Sequence, residues 1–255
     1  MGLSLGDKVP DAKTIWLFRE NLTKSGADKD LFILFAQQME RQGVITRRGS
    51  IVDATFADAP KQRNTRDENK QIKDGQGEEL WNDNDHKRRQ KDTDARWTKK
   101  NDETHYGYKD HVKVDRDSKM IVDYKVTDAS VHDSQAIVEL VDEKDEVLYA
   151  DSAYTGEELQ QDLLEKNPDL ELRINEKGYR NKPLTDQQKE NNRVKSKDRA
   201  RVEHVFGHMT NSFGEIVVRS VGASRARCQI GLKNLAYNLQ RFECLVRLKK
   251  IPLPS

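Results

Sequence analysis

The chain has 255 residues, 35% of them hydrophobic and 35% charged, with a formal net charge of +1, a length that suits one large domain or a catalytic domain with a helical appendage. Its longest apolar run, Leu31 to Ala36, falls far short of the roughly 20 residues that span a bilayer, and the opening MGLSLGDKVP has no signal-peptide pattern. Two cysteines, Cys228 and Cys244, supply neither a disulfide framework nor a zinc-type spacing, so a protein of the cytoplasm, without a membrane span, is expected.

Residues 1–49 read as a small helical unit. Asp11 can cap a helix with Ile15, Phe18 and Leu22 on one face, ending at Ser25-Gly26, and Asp28 can cap a second carrying Leu31, Leu34, Phe35 and Met39. Two short helices bury little by themselves, so the unit either docks on the rest or is a remnant of a longer N-terminal region. SIVDATF then reads as a β-branched strand ending at Ala57 and Asp58. From Lys61 to Thr104 only Ile72, Leu80, Trp81, Ala95 and Trp97 are apolar, too few for a packed unit, which predicts a long polar insertion (60–104) ordered only by a partner.

Alternation resumes at Tyr106–Asp115 and Ser118–Thr127, two strands joined by a hairpin turn, followed by a helix near Asp133–Val141 and a buried strand at Glu146–Asp151. Thr155 and Glu158 fit a capping box for a helix to Lys166, and Leu170–Asn175 reads as a fifth strand. A polar link with Pro183 leads to a helix at about 197–211. The last segment, 224–249, reads as an amphipathic helix with Leu235, Leu239, Phe242 and Val246 as its stripe. Hairpins first and helix crossovers after imply an α/β mixed sheet with helices on its faces. That order suits a ribonuclease H-like fold over 50–215, flanked by helices at 1–49 and 216–255.

The near-neutral charge is an average of unequal parts. Between Arg193 and Lys250 lie 13 Lys and Arg against 4 Asp and Glu, while carboxylates concentrate from Asp110 to Glu190. A basic C-terminal third is what a protein tracking a phosphate backbone carries, although a solvated helical surface carries the same charge.

Three carboxylates stand in unusual surroundings. Asp53 lies mid-strand after Ile51 and Val52, where an unpaired charge is costly. Asp151 ends the strand VLYA, at the carboxyl edge where sheet enzymes gather functional groups. Glu203 sits in the apolar helical stretch RVEHVF. Each has an ordinary alternative: a turn or cap role for the aspartates, and for Glu203 a pair with Arg199 one helical turn earlier. Together they offer the hard oxygen ligands that magnesium prefers, in the number that two ions about 4 Å apart need for in-line displacement at phosphorus.

Five of the six histidines, His105, His111, His132, His204 and His208, follow no tetrahedral zinc spacing, and His132-Asp133 reads as a helix cap. Trp81 and Trp97 lie among cations in the polar insertion, where an aromatic can stack on a base or anchor the loop. Lys99, Lys100, Lys109 and Arg199 are candidate phosphate contacts, with Trp97 beside them.

The stretches GLSLGDKVPDAKTIWLFRE, SIVDATF, DARWTKKNDETHYGYKDHVKVD, TDASVHDS, LYADSAYTG, RARVEHVFG and GLKNLAYNLQR together resemble DDE transposases of bacterial insertion sequences, of the insertion sequence 5 family. They cover most of the chain in family order. The resemblance implies Asp53, Asp151 and Glu203 as catalytic metal ligands for Mg²⁺ or Mn²⁺, with two ions cleaving a transposon end and joining it to target DNA. It implies as partners double-stranded DNA of the terminal inverted repeats and the target, a homodimer in the synaptic complex, and a place at the bacterial nucleoid. It also implies an N-terminal helical region of which this chain carries only the end. Around the third acid, the family's flanking Arg is matched by Arg199, whereas Ser196 and Thr210 stand at its Tyr and Lys positions. Two other readings fit the residues: a stand-alone metal-dependent nuclease, and an inactive copy that binds DNA or pairs with an intact enzyme.

Overall fold

In a computed structural model that describes residues 4, 6–100, 102–179 and 183–251, the predicted alternation yields a six-stranded mixed sheet. Its centre is β1 (Ser50–Asp58), antiparallel along its whole length to β3 (Glu103–Asp115) and parallel to the short β5 (Val147–Ala150). Strand β2 (Arg96–Lys100) pairs with the first residues of β3, and β4 (Ile121–Asp128) with the remainder; β6 (Glu171–Ile174) lies parallel beyond β5. With helices on both faces, this is the ribonuclease H-like architecture that the element order predicts.

Successive β1 side chains alternate between faces. Val52 points to the layer of α5 (Asp133–Leu140) and α6 (Glu157–Lys166), in a cluster with Ile137, Leu148 and Leu163. Ile51 points the other way, into a cluster with Val202 and Val205 of α7 (Asp186–Phe213) and Tyr237 of α8 (Ala223–Arg247). The N-terminal helices α1 (Ala12–Ser25) and α2 (Ala27–Arg41) dock on this second face, where Phe32, Ala36 and Met39 join the same cluster. Asp11 caps α1 through the Thr14 amide, as expected. Gly26, at φ 72°, ends α1 and begins α2, leaving Asp28 buried inside the helix rather than at its cap.

Four expectations change. The polar insertion is folded without a partner: α3 (Arg66–Lys73), a 3-10 turn, α4 (Asp85–Gln90) and β2 occupy it. Its few apolar residues suffice because polar groups are satisfied locally. Thr65 and Glu68 form a capping box, and Glu68 also accepts from Trp81 Nε1 and Lys87 Nζ, both at 2.7 Å. Asp92 then binds the unit to the sheet, accepting from the Tyr108 hydroxyl and the Gly222 amide. Second, α6 starts after Gly156 without a side-chain cap, since the Thr155 hydroxyl donates to Ser152 O instead. Third, α7 begins eleven residues earlier than expected, at a Thr185–Gln188 capping box. Fourth, the buried stripe of α8 is rotated. Leu239 is exposed, while Asn234 and Asn238 are fully buried. Asn238 exchanges both hydrogen bonds with the Ile121 backbone at 2.8 Å, so an amide side chain closes the open edge of β4.

No helix among the described residues is long and apolar enough to cross a membrane.

Candidate active site

The pleat that buries Ile51 turns Asp53, two residues on, toward α7. Asp53 Oδ1 accepts from the Ala54 amide at 2.8 Å, and Oδ2 accepts from Arg199 Nη1 at 3.3 Å. The other guanidinium nitrogen, Nη2, donates to Glu203 Oε1 at 3.0 Å, one helical turn along α7. Asp151 follows the last residue of β5, the parallel neighbour of β1, and one of its oxygens accepts from the Ala153 amide at 2.6 Å to start a short 3-10 turn. Burial pushes the Asp53 carboxyl above its ordinary value and Asp151 adds to the push. The Ala54 amide, Arg199 and Lys100 pull it back.

The ordinary readings of Asp151 as a turn cap and Glu203 as the partner of Arg199 are thus both realised, with Asp151 close enough to raise the Asp53 pKa and Glu203 joined to Asp53 through Arg199. An all-oxygen donor set with a desolvated carboxylate beside a second one suits a hard divalent cation, which relieves both the burial and the repulsion. Among the described residues, no three Asp, Glu, His or Cys side chains converge as a ready cage for an ion; Glu203 is drawn to Arg199 in this arrangement.

A family model described as "Transposase DDE domain" matches residues 45–239, a span that holds β1, β5, α7 and most of α8. The chain belongs to the DDE transposase family. No solved structure matches it.

The other candidate residues of this transposase lie on β2 and β3. Lys100 is exposed near Asp53, with its ammonium 5.8 Å from the Phe56 ring centroid. Lys99 is exposed and pairs with Asp102 at 2.8 Å. Trp97 keeps 42% of its surface exposed, tilted against Tyr106, with Lys61 over its ring. Lys109 differs from its expected phosphate role. Only 8% exposed, it donates to Val131 O at 2.7 Å and to Asp133 at 2.9 Å, because the β3 pleat aims it at the α5 side. At the positions where Tyr and Lys were sought, Ser196 accepts from Asn175 Nδ2, and Thr210 is exposed.

The histidines are engaged elsewhere. His132 caps α5, His105 stacks on Phe56, His204 meets Lys119 and His208 meets Gln240. His111 is wholly buried and hydrogen-bonded to Thr127. Burial holds it down at about 4, so it is neutral. His111 Nε2 and Thr127 Oγ1 share a hydrogen bond at 2.9 Å, and His111 Nδ1 lies 4.0 Å from Asp133.

Tyr154 completes this polar layer beneath the acids. Its buried hydroxyl has no partner, and burial, Asp133, Asp53 and Asp151 all raise its pKa. Sequence reasoning passed over Tyr154 and took Asp133 only as part of a helix cap, although both lie inside quoted motifs, LYADSAYTG and TDASVHDS. The available signal was a tyrosine three residues after a candidate ligand, in a turn too short to leave its ring free.

Proposed function

We propose that this transposase cleaves DNA at the ends of an insertion sequence of the insertion sequence 5 type and joins the freed 3′ ends to target DNA. Asp53, Asp151 and Glu203 hold the catalytic Mg²⁺ or Mn²⁺, two ions in the working site. The supporting observation is the meeting of Asp53 and Glu203 on one guanidinium, with Asp151 near enough to Asp53 to raise its pKa. When bound, the ions supply Lewis-acid activation of the attacking and leaving oxygens.

The chain's own residues fix the geometry. β1 carries Asp53, the turn after its parallel neighbour β5 carries Asp151, and α7 ties Glu203 to Asp53 through Arg199. Lys99, Lys100 and Trp97 at the β2 rim, with Arg199 inside, meet the phosphate backbone and an adjacent base. Two copies, each holding one terminal inverted repeat, act together on the target duplex.

The test uses purified protein, a labelled duplex carrying the element's terminal repeat, and a target plasmid. Asp53→Asn and Glu203→Gln should abolish Mg²⁺-dependent end cleavage and strand transfer while the thermal melt and DNA gel shift persist. Full activity in either variant refutes the assignment. Cleavage without strand-transfer product would mark a nuclease instead.

A further inference from the structure

The guanidinium of Arg199 stands where a cation would. Its two terminal nitrogens reach Asp53 Oδ2 at 3.3 Å and Glu203 Oε1 at 3.0 Å. All three side chains are in part withdrawn from water: Arg199 and Asp53 keep 22% exposure and Glu203 57%. A magnesium ion binds oxygens at about 2.1 Å, so these carboxylates cannot close on an ion with the guanidinium between them. Two positive charges in one gap also repel. The resting pose is incompletely satisfied as well, because Arg199 Nε is buried without an acceptor, and such a group gains by moving to a place where it is paired.

We propose that Arg199 is a built-in competitor for the divalent cation: in the DNA-free protein it occupies the gap between Asp53 and Glu203, and an ion enters only as the guanidinium leaves. This rests on the reading of those acids as metal ligands. The hold is geometric and local. Lys100 adds positive field to Asp53 but donates no hydrogen bond to it, so field and occupancy are separable.

The test is a Mn²⁺ titration of DNA-free protein followed by the electron paramagnetic resonance of the free ion. Arg199→Gln should tighten Mn²⁺ binding about tenfold, the scale of a charge-assisted two-point contact. Arg199→Lys, which keeps the charge but loses the fork, should fall between Arg199→Gln and the unaltered protein. Lys100→Gln should change affinity less than about twofold. Affinity unchanged or weakened in both Arg199 variants overturns the proposal, as does an equal gain in Lys100→Gln, which would leave only a field effect. Asp53→Asn separates the two levels. If it leaves Mn²⁺ binding intact, or if no variant binds Mn²⁺, the metal-ligand reading itself falls and the competitor role falls with it.

Discussion

Asp110 offers a quantitative test of how the sheet packs on α8. It lies on β3, has no exposed surface, and its hydrogen bond is to Asn234 of α8, whose Nδ2 donates to Oδ1 at 3.2 Å. Asp110 Oδ2 and Asn234 Oδ1 are both buried without a partner. A proton on Oδ2 removes the cost of an ionised carboxylate buried with one oxygen unpaired. Burial accordingly raises the carboxyl to about 7, against the pull of Asn234, Lys29 and Lys233. In the unfolded chain the group titrates near about 3.9, so folding takes up a proton between those values. The resulting stability is fully present below pH 4, is lost as pH rises, and is gone once pH passes about 7. Each pH unit in that window removes about 1.4 kcal/mol, for a ceiling of about 4 kcal/mol. Asp110→Asn places a permanent amide donor where the proton sat. Urea midpoints from pH 5 to 8 should therefore fall for the unaltered protein relative to Asp110→Asn, the variant becoming more stable by about 2–4 kcal/mol at pH 8. Parallel midpoints across that range would refute the buried proton.

Four further substitutions probe the frame around the site. Gly107 has φ +148°, and a Cβ there would lie 2.4 Å from Ala57 O and 2.7 Å from Ala59 N; both are backbone, so Gly107→Ala should cost about 3 kcal/mol or more in urea unfolding. Lys113 is 1% exposed and pairs with the fully buried Asp145 at 2.8 Å. Lys113→Ala removes one cation of a buried pair, leaving Asp145 to Ser50 Oγ, the Asp142 amide and Arg47 at 3.8 Å, and should cost about 3 kcal/mol, whereas Lys144→Ala, which removes a largely exposed pair with Glu40, should cost under about 1 kcal/mol. Trp81→Ala removes the centre of the insertion and should cost it about 3 kcal/mol locally, seen as proteolytic nicking between residues 60 and 95 while the main thermal transition holds.

The strands were legible because apolar alternation is read residue by residue: SIVDATF, VLYAD and LELRIN each lie within a residue or two of β1, β5 and β6. The insertion was misjudged for a physical reason. Counting apolar residues from Lys61 to Thr104 measures the core a segment could build alone, and this segment borrows its core from β3 and α8 through Asp92, Ala95 and Tyr106. The phase of α8 failed for a related reason. A stripe drawn through Leu235 and Leu239 assumes that buried helix positions are apolar, but α8 covers a strand edge whose backbone needs partners. Asn238, Tyr237 and Arg241 therefore turn inward to Ile121, Lys119 and Ser118.

Within the candidate site, the three acids stand out in the sequence because a mid-strand aspartate, a strand-end aspartate and a glutamate in an apolar helix each break the local pattern. What they do to one another is a tertiary property. Arg199 is four residues from Glu203, so their pair is visible along the helix, yet its second bond crosses 146 residues to Asp53 and no spacing rule reports it. The same holds for Tyr154, whose isolation beneath Asp53, Asp151 and Asp133 exists only once β1, β5 and α5 are packed. The ordinary and catalytic readings of these residues therefore do not exclude each other. A turn that Asp151 caps and a helix pair that Glu203 completes are local bonds that hold these carboxylates in place, and under the proposed role only the Arg199 contact has to give way to an ion.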